Sequence, residues 1–138
     1  MDSFRYTPEL AADWKNLYSG EFANTYLSKR IAIAMNESQL ICKSWLVTEM
    51  RTARMNPKNV ALLGVWFAQY TLPLLYDNFG CIDNVTNYEM DPDTKRVSYK
   101  FNKRYKDTKQ YKIEVQNVMF DPLKYASDTV INTSCEHM

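Results

Sequence analysis

The segment from Asn59 to Asp91 determines the architecture of the chain, and it begins with the apolar run NVALLG at residues 59–64. A continuous apolar run that ends in a glycine is typical of a strand that is buried on both faces of a sheet and followed by a sharp turn. Helical spacing follows at residues 67–79, and a second strand-like run that ends in acids follows at residues 85–89. This order predicts the first unit of a nucleotide-binding α/β sheet.

The same alternation continues toward the C-terminus. Asp91-Pro92 begins a predicted helix whose inner face carries Val97, Phe101 and Tyr105. Two further strands are predicted at residues 113–117 and 129–132. Strands that alternate with helices predict a parallel sheet with right-handed crossovers.

Two features refine the helices of this pattern. Pro73 lies within the segment 67–79, so we expect either a kink or a late helix start at residues 71–73. Ahead of the sheet, helices are predicted at about residues 8–18, 21–35 and 37–52, the last with Ile41 and Trp45 on one side. We therefore divide the chain into an N-terminal helical segment (1–36) and a partial Rossmann-like domain (37–138).

Composition narrows the functional classes. The 138 residues are 46% hydrophobic, which indicates one domain with a packed core. The net charge of +1 argues against a strongly basic protein, and a nucleic-acid partner is not expected. Lys and Arg gather at residues 95–112, where they indicate a solvated helix face or, alternatively, a weak phosphate-binding surface.

The cysteines and the lengths of the apolar runs indicate the cellular compartment of the protein. Cys42, Cys81 and Cys135 are odd in number and widely spaced, and His137 is the one histidine, so a metal site is not expected. Such cysteines suit a reducing compartment, and we expect a cytoplasmic protein. No run approaches the ~20 apolar residues of a membrane span, so no membrane partner is expected.

Polar groups follow each predicted strand, at the edge where ligands of such sheets bind. A turn at Gly64 offers backbone N–H donors to an anionic group, and Glu89 can accept hydrogen bonds from both ribose hydroxyls. Asn117 can pair with an adenine edge, and Asn132 can hold a polar substrate group. Singly, these residues have simpler interpretations: a turn glycine, a solvated acid and two turn asparagines.

Four segments together resemble the motifs of class I S-adenosylmethionine-dependent methyltransferases, most closely the short versions in tailed-phage genomes. They are VALLGVWFA (60–68), YEMDP (88–92), VQNV (115–118) and DTVINTSCEHM (128–138). The resemblance covers about residues 37–138. It departs from the family at Trp66 and Ala68, where further glycines are usual, and at Asn117, where Asp is common.

The resemblance implies S-adenosylmethionine as the cofactor and assigns the binding residues. Gly64, Trp66 and Phe67 would line its methionine end, and Glu89, with Met90 beside it, would hold the ribose. Asn117 and Val118 would contact the adenine, and Asn132 with Thr133 would face the substrate. No catalytic residue is assigned, since Glu136 and His137 are candidates by location alone.

A complete domain of this family has about seven strands in the order 3-2-1-4-5-7-6, so the resemblance implies a chain that stops just past the fourth. Residues 129–132 would then form an apolar sheet edge, and such edges recruit partners. We expect another copy, another protein or the N-terminal helices to cover it.

The leading hypothesis is a methyltransferase-like protein, of viral origin, that transfers a methyl group to an unidentified acceptor. One alternative is a non-catalytic structural or interaction protein that reuses half of the fold. Another is a different nucleotide-binding enzyme on the same sheet.

Overall fold

Four parallel strands form the centre of the computed structural model, which describes residues 37–65 and 67–133. The strands are β1 (Asn59–Leu63), β2 (Asn84–Glu89), β3 (Tyr111–Val115) and β4 (Thr129–Asn132). They lie in the order β3-β2-β1-β4, and each neighbouring pair is parallel. The predicted Rossmann-like α/β fold, a partial parallel sheet of about four strands, is therefore confirmed.

Four described helices connect and flank these strands. They are α1 (Glu37–Thr52), α2 (Thr71–Asn78), α3 (Pro92–Phe101) and α4 (Lys103–Asp107). The helices predicted within residues 1–36 lie outside the described residues. None of the four described helices is both long and apolar enough to span a membrane.

Proline and aspartate determine where α2 and α3 begin. Pro73 is the third residue of α2, in the first turn, where a helix has no backbone partner for the N–H group that proline lacks. The predicted late start is thus confirmed. The carboxylate of Asp91 accepts a hydrogen bond from the Asp93 amide at 2.9 Å and caps α3.

The core surrounds β1. Val60, Ala61 and Leu62 are almost fully buried, as expected for a strand with both faces covered. Leu72, Leu74 and Leu75 of α2 pack into the same core, together with Val97 and Phe101 of α3. The sheet and these helices together hold the carboxyl ends of the strands in place.

Three details differ from the sequence-based expectation. α1 turns Val47 and Met50 toward the core, whereas Ile41 and Trp45 are each 60% exposed. β3 begins at Tyr111, two residues before its predicted start. The helix that carries Val97 and Phe101 ends at Phe101, so Tyr105 belongs to the separate helix α4.

Candidate functional site

The carboxyl ends of all four strands meet at one cavity of about 190 Å³. Six residues predicted from the sequence lie in its wall: Gly64, Glu89, Met90, Asn117, Val118 and Asn132. Parallel strands bring their carboxyl ends to the same edge of a sheet, which is why residues so distant in sequence converge here.

The turn after β1 is tied to the end of β4. Gly64 has a φ of 67°, in the left-handed region that glycine adopts without steric cost. Its carbonyl accepts a hydrogen bond from the Thr133 hydroxyl at 3.1 Å, and the Thr133 amide donates to the Leu63 carbonyl at 3.2 Å. Together these bonds fix the position of Gly64 beside Asn132.

Glu89 ends β2 with an oriented carboxylate. Its Oε1 accepts hydrogen bonds from the amides of Met90 at 3.0 Å and Asp91 at 3.4 Å. The Glu89 carbonyl accepts another from the Gln116 amide at 3.1 Å, which ties the end of β2 to the segment after β3. The side chain is partly buried, and it places an acceptor at the cavity wall.

Asn117 lies two residues after β3, in a turn. Its Oδ1 accepts a hydrogen bond from the Met119 amide at 3.0 Å, and its carbonyl accepts bonds from the amides of Phe120 and Asp121. Asn117 is therefore a turn residue, as the simpler interpretation expected, and it also lines the cavity. Both the side-chain oxygen Oδ1 and the backbone carbonyl oxygen of Asn117 accept hydrogen bonds within the turn. We therefore consider the side-chain N–H groups of Asn117 as its donors to a ligand.

Phe67, which was also predicted for the site, lies outside this wall. The Phe67 side chain is fully buried and packs in the core beside Phe101, with ring centroids 6.3 Å apart, so it is not in the cavity wall. Trp66 lies outside the described residues, as do Glu136 and His137. The described residues hold no group of His, Cys, Asp or Glu that could bind a metal ion.

Sequence reasoning missed four wall residues: Leu63, Tyr88, Gln116 and Met119. Leu63, Tyr88 and Gln116 each sit directly beside a predicted residue, at or just past the end of a strand. The signal that could have found them is the strand end itself, since neighbouring residues there share the cavity. The basic stretch 95–112 contributes nothing to this wall.

A second, larger opening of about 780 Å³ runs between α1 and β4. Its wall includes Ile41, Trp45 and Val130, which are all exposed. Among the described strands β4 pairs with β1 alone, so it forms one edge of the sheet. Asn132 lines both this groove and the smaller cavity.

Comparison with known proteins reveals similarity at the level of fold. No family model matches the sequence, and no curated protein matches it. The SAH-bound methyltransferase PaMTH1 of Podospora anserina aligns over 95% of this chain and 52% of its own, with a TM-score of 0.57 and 18% identity. The plantazolicin methyltransferase BpumL, solved in complex with SAH, aligns over 90% of this chain and 47% of its own, with a TM-score of 0.52 and 12% identity.

This chain therefore spans about half the length of these two structures. Over that half it has a Rossmann-like α/β fold similar to that of the two methyltransferases.

Proposed function

We propose that this chain binds S-adenosylmethionine in the cavity at the carboxyl ends of β1 to β4 and acts as a methyltransferase. The observation that carries the proposal is the convergence of Gly64, Glu89, Asn117 and Asn132 on that one cavity. The fold similarity to two methyltransferases solved with SAH supports this nucleoside over others.

The chemistry of the wall fits an adenosine. The oriented carboxylate of Glu89 can accept hydrogen bonds from two ribose hydroxyls. The side-chain N–H groups of Asn117 can reach acceptor nitrogens of adenine, and Val118, Met90 and Met119 supply apolar surface for the ring. We assign the methionine end to the turn at Gly64 and to Trp66, with Phe67 supporting the turn from the core.

The volume of the cavity limits which part of the ligand molecule it can enclose. Sites for whole drug-sized ligands measure about 300–1,000 Å³, and this cavity measures about 190 Å³. The described walls therefore suit the nucleoside part, and the rest of the ligand would extend past Gly64 and Asn132.

When bound, adenosylmethionine would supply a methyl group attached to a sulfonium. A lone pair of the acceptor would form the new bond to the methyl carbon while the carbon–sulfur bond breaks and the sulfur keeps its electron pair. The contribution of the chain is then to orient the donor and to align the acceptor with it. We place the acceptor on the side of Asn132 and Thr133, where the cavity meets the groove. No described residue is assigned as a base.

A second candidate function is a non-catalytic interaction protein. Among the described strands β4 forms a sheet edge, and this edge and the apolar groove beside it favour this candidate, because both are suited to contact another protein. A different nucleotide-binding enzyme on the same sheet is the third candidate.

We also propose that a second copy of the chain covers the β4 edge. The edge strands of two copies can pair with each other across a two-fold axis, because each offers unpaired backbone N–H and C=O groups to the other. Val130, which is 53% exposed at the centre of β4, would be buried by that pairing. The cysteine pattern supports a cytoplasmic location, within a host cell for a gene of viral origin.

Calorimetric titration tests the proposed ligand. We expect adenosylmethionine or its product to bind with micromolar affinity. Glu89→Ala should weaken binding about 10- to 100-fold, because this is the loss in affinity that corresponds to removing hydrogen bonds to a charged group. Glu114→Ala is the matched control, because Glu114 is a carboxylate on the neighbouring strand that contacts Lys124 and Tyr125 and lies outside the cavity wall.

The competing functions give different titrations. Absence of binding at millimolar ligand would favour the interaction protein over the enzyme. Tighter binding of ATP or NAD than of adenosylmethionine would favour another nucleotide-binding enzyme. Equal losses in the Glu89 and Glu114 variants would remove the assigned role of Glu89.

A further inference from the structure

The peptide unit between Phe67 and Ala68 lies in the loop from β1 to α2, and both of its polar groups are held. The Phe67 carbonyl accepts hydrogen bonds from Ser98 Oγ at 2.5 Å and from Asn102 Nδ2 at 2.9 Å. On the other side, the Ala68 amide donates to the Val65 carbonyl at 3.2 Å. Any rotation of this peptide plane would therefore break three hydrogen bonds.

The bond from Ser98 is the end of a directed chain. Ser98 has one hydroxyl proton and gives it to Phe67, so the 2.7 Å contact with Tyr111 must be donated by Tyr111. Tyr111 in turn accepts from Asn87 Nδ2 at 3.0 Å. Burial raises the pKa of Tyr111, which keeps its hydroxyl protonated and able to donate.

This chain joins the sheet to the loop through the protein interior. Asn87 lies on β2, Tyr111 on β3 and Ser98 on α3, while Asn102 follows α3, and all four side chains are buried. The bonds of this chain restrict its geometry, because turning a hydroxyl or an amide away from its partner leaves a polar group unpaired in a medium of low dielectric constant.

Ala68 shows what that geometry imposes. Its φ is 57°, a left-handed conformation that costs a non-glycine residue free energy. Returning Ala68 to a negative φ requires rotation of the peptide plane that precedes it. That rotation would withdraw the Phe67 carbonyl from Ser98 and Asn102, so the two side chains hold the loop in its unfavourable conformation.

We propose that Ser98 and Asn102, supported by Tyr111, are positioning residues that set the orientation of the chain at residues 67–70 for ligand binding. Residues 67–70 lead directly into α2, and Gly64, three residues before them, lines the cavity. The effect on ligand affinity rests on the adenosylmethionine site proposed above, whereas the effect on the loop does not.

Hydrogen exchange measured by mass spectrometry on the unliganded full chain tests the effect on the loop. In Ser98→Ala, which removes one of the two bonds to the Phe67 carbonyl, the amides of residues 65–72 should exchange about tenfold faster. Tyr111→Phe leaves both bonds in place and removes only the support of Ser98, so we expect a smaller increase. Tyr76→Phe is the matched control: its hydroxyl also donates to a backbone carbonyl, that of Gln110, but it does so away from the loop. We expect it to lower the melting temperature without changing exchange in residues 65–72.

Titration with adenosylhomocysteine, well below the melting temperature, gives the second readout. Ser98→Ala should weaken binding about tenfold, Tyr111→Phe should weaken it less, and Tyr76→Phe should leave it unchanged. Loop exchange equal to wild type in both network variants overturns the proposal, and so does faster exchange with unaltered affinity. A wild-type chain that binds no adenosylhomocysteine refutes the proposed function, and loop exchange alone then decides whether these residues hold the loop.

Discussion

At the level of single residues, three non-glycine positions adopt a backbone conformation that is more usual for glycine. Arg54, Ala68 and Lys109 all take a left-handed backbone conformation, with φ between 56° and 63°. The whole chain contains only three glycines, so other residues occupy positions that glycine often fills. Arg54 and Lys109 are exposed, whereas Ala68 is buried and depends on its surroundings.

Ala68→Val should therefore be strongly destabilising. A β-branched side chain is poorly tolerated at positive φ, and the site is buried, so we expect the free energy of unfolding to fall by roughly 2–3 kcal/mol. Ala61→Val is the control, since Ala61 is equally buried but lies in β1, where β-branched residues are favoured. Urea unfolding of both variants measures the difference, and equal losses would show that the conformation of Ala68 is not the cause.

Asp128 gives a pH-dependent prediction. Its carboxylate accepts hydrogen bonds from the Thr129 hydroxyl and from the amides of Asn59 and Lys58, and these hold its pKa below the ordinary 3.8. A lowered pKa in the folded state means that the stabilisation is present above pH 3.8 and is lost as the pH falls through the folded-state value.

Because Asp128 is exposed and solvent screens its charge, we expect Asp128→Asn to cost less than about 1 kcal/mol at pH 7 and nothing once Asp128 is protonated in the wild type. Urea titrations at a series of pH values measure the difference between the two proteins. A difference that stayed constant down to acid pH would contradict the assignment of the effect to the charge.

At the scale of helices and strands, prediction from sequence succeeded where a single physical cause dominates. Local sequence was enough to predict β1 from its apolar run and the start of α3 from its Asp91 cap. It was also enough to predict that β2 ends in an acid. The inner face of α1 was not predictable in this way. Val47 and Met50 face the core while Ile41 and Trp45 do not, because the packing partners of a helix come from distant parts of the chain.

The end of α1 offers a test of local geometry. The Arg54 amide donates to Arg51 and the Met55 amide donates to Met50, a pattern that places Arg54 at the position where helices usually carry glycine. Arg54→Gly should raise the free energy of unfolding by about 0.5–1 kcal/mol. Glu49→Gly, within the same helix, should lower it by about 1 kcal/mol. Denaturant curves in which both variants lose stability would contradict this description of the helix end.

At the scale of the whole molecule, the two edges of the sheet allow a matched comparison. Val130 on β4 and Val115 on β3 are exposed to similar degrees, 53% and 45%. If a second copy covers β4, light scattering should report twice the chain mass of 16.2 kDa, and Val130→Lys should shift the protein to monomer while Val115→Lys does not. A monomer at every concentration would contradict the dimer. Slow exchange of the β4 amides in such a monomer would instead point to residues 1–36 as the cover.

The sequence predicted which residues line the site, but it did not predict the buried hydrogen bonds behind it. Gly64, Glu89, Asn117 and Asn132 could be predicted to meet because parallel strands bring their ends together. The hydrogen-bond chain through Asn87, Tyr111 and Ser98 could not, since buried polar residues follow no periodicity and their partners are defined only in the folded chain. The burial of Phe67 in the core follows from the same tertiary packing.

Whether the four strand ends form one adenosine site can be tested by a nuclear magnetic resonance titration of the full chain with adenosylhomocysteine. We predict that the amide signals of Gly64, Met90, Val118 and Asn132 shift together and saturate with a single dissociation constant. Shifts confined to the basic stretch 95–112, or no shifts at millimolar ligand, would contradict the account.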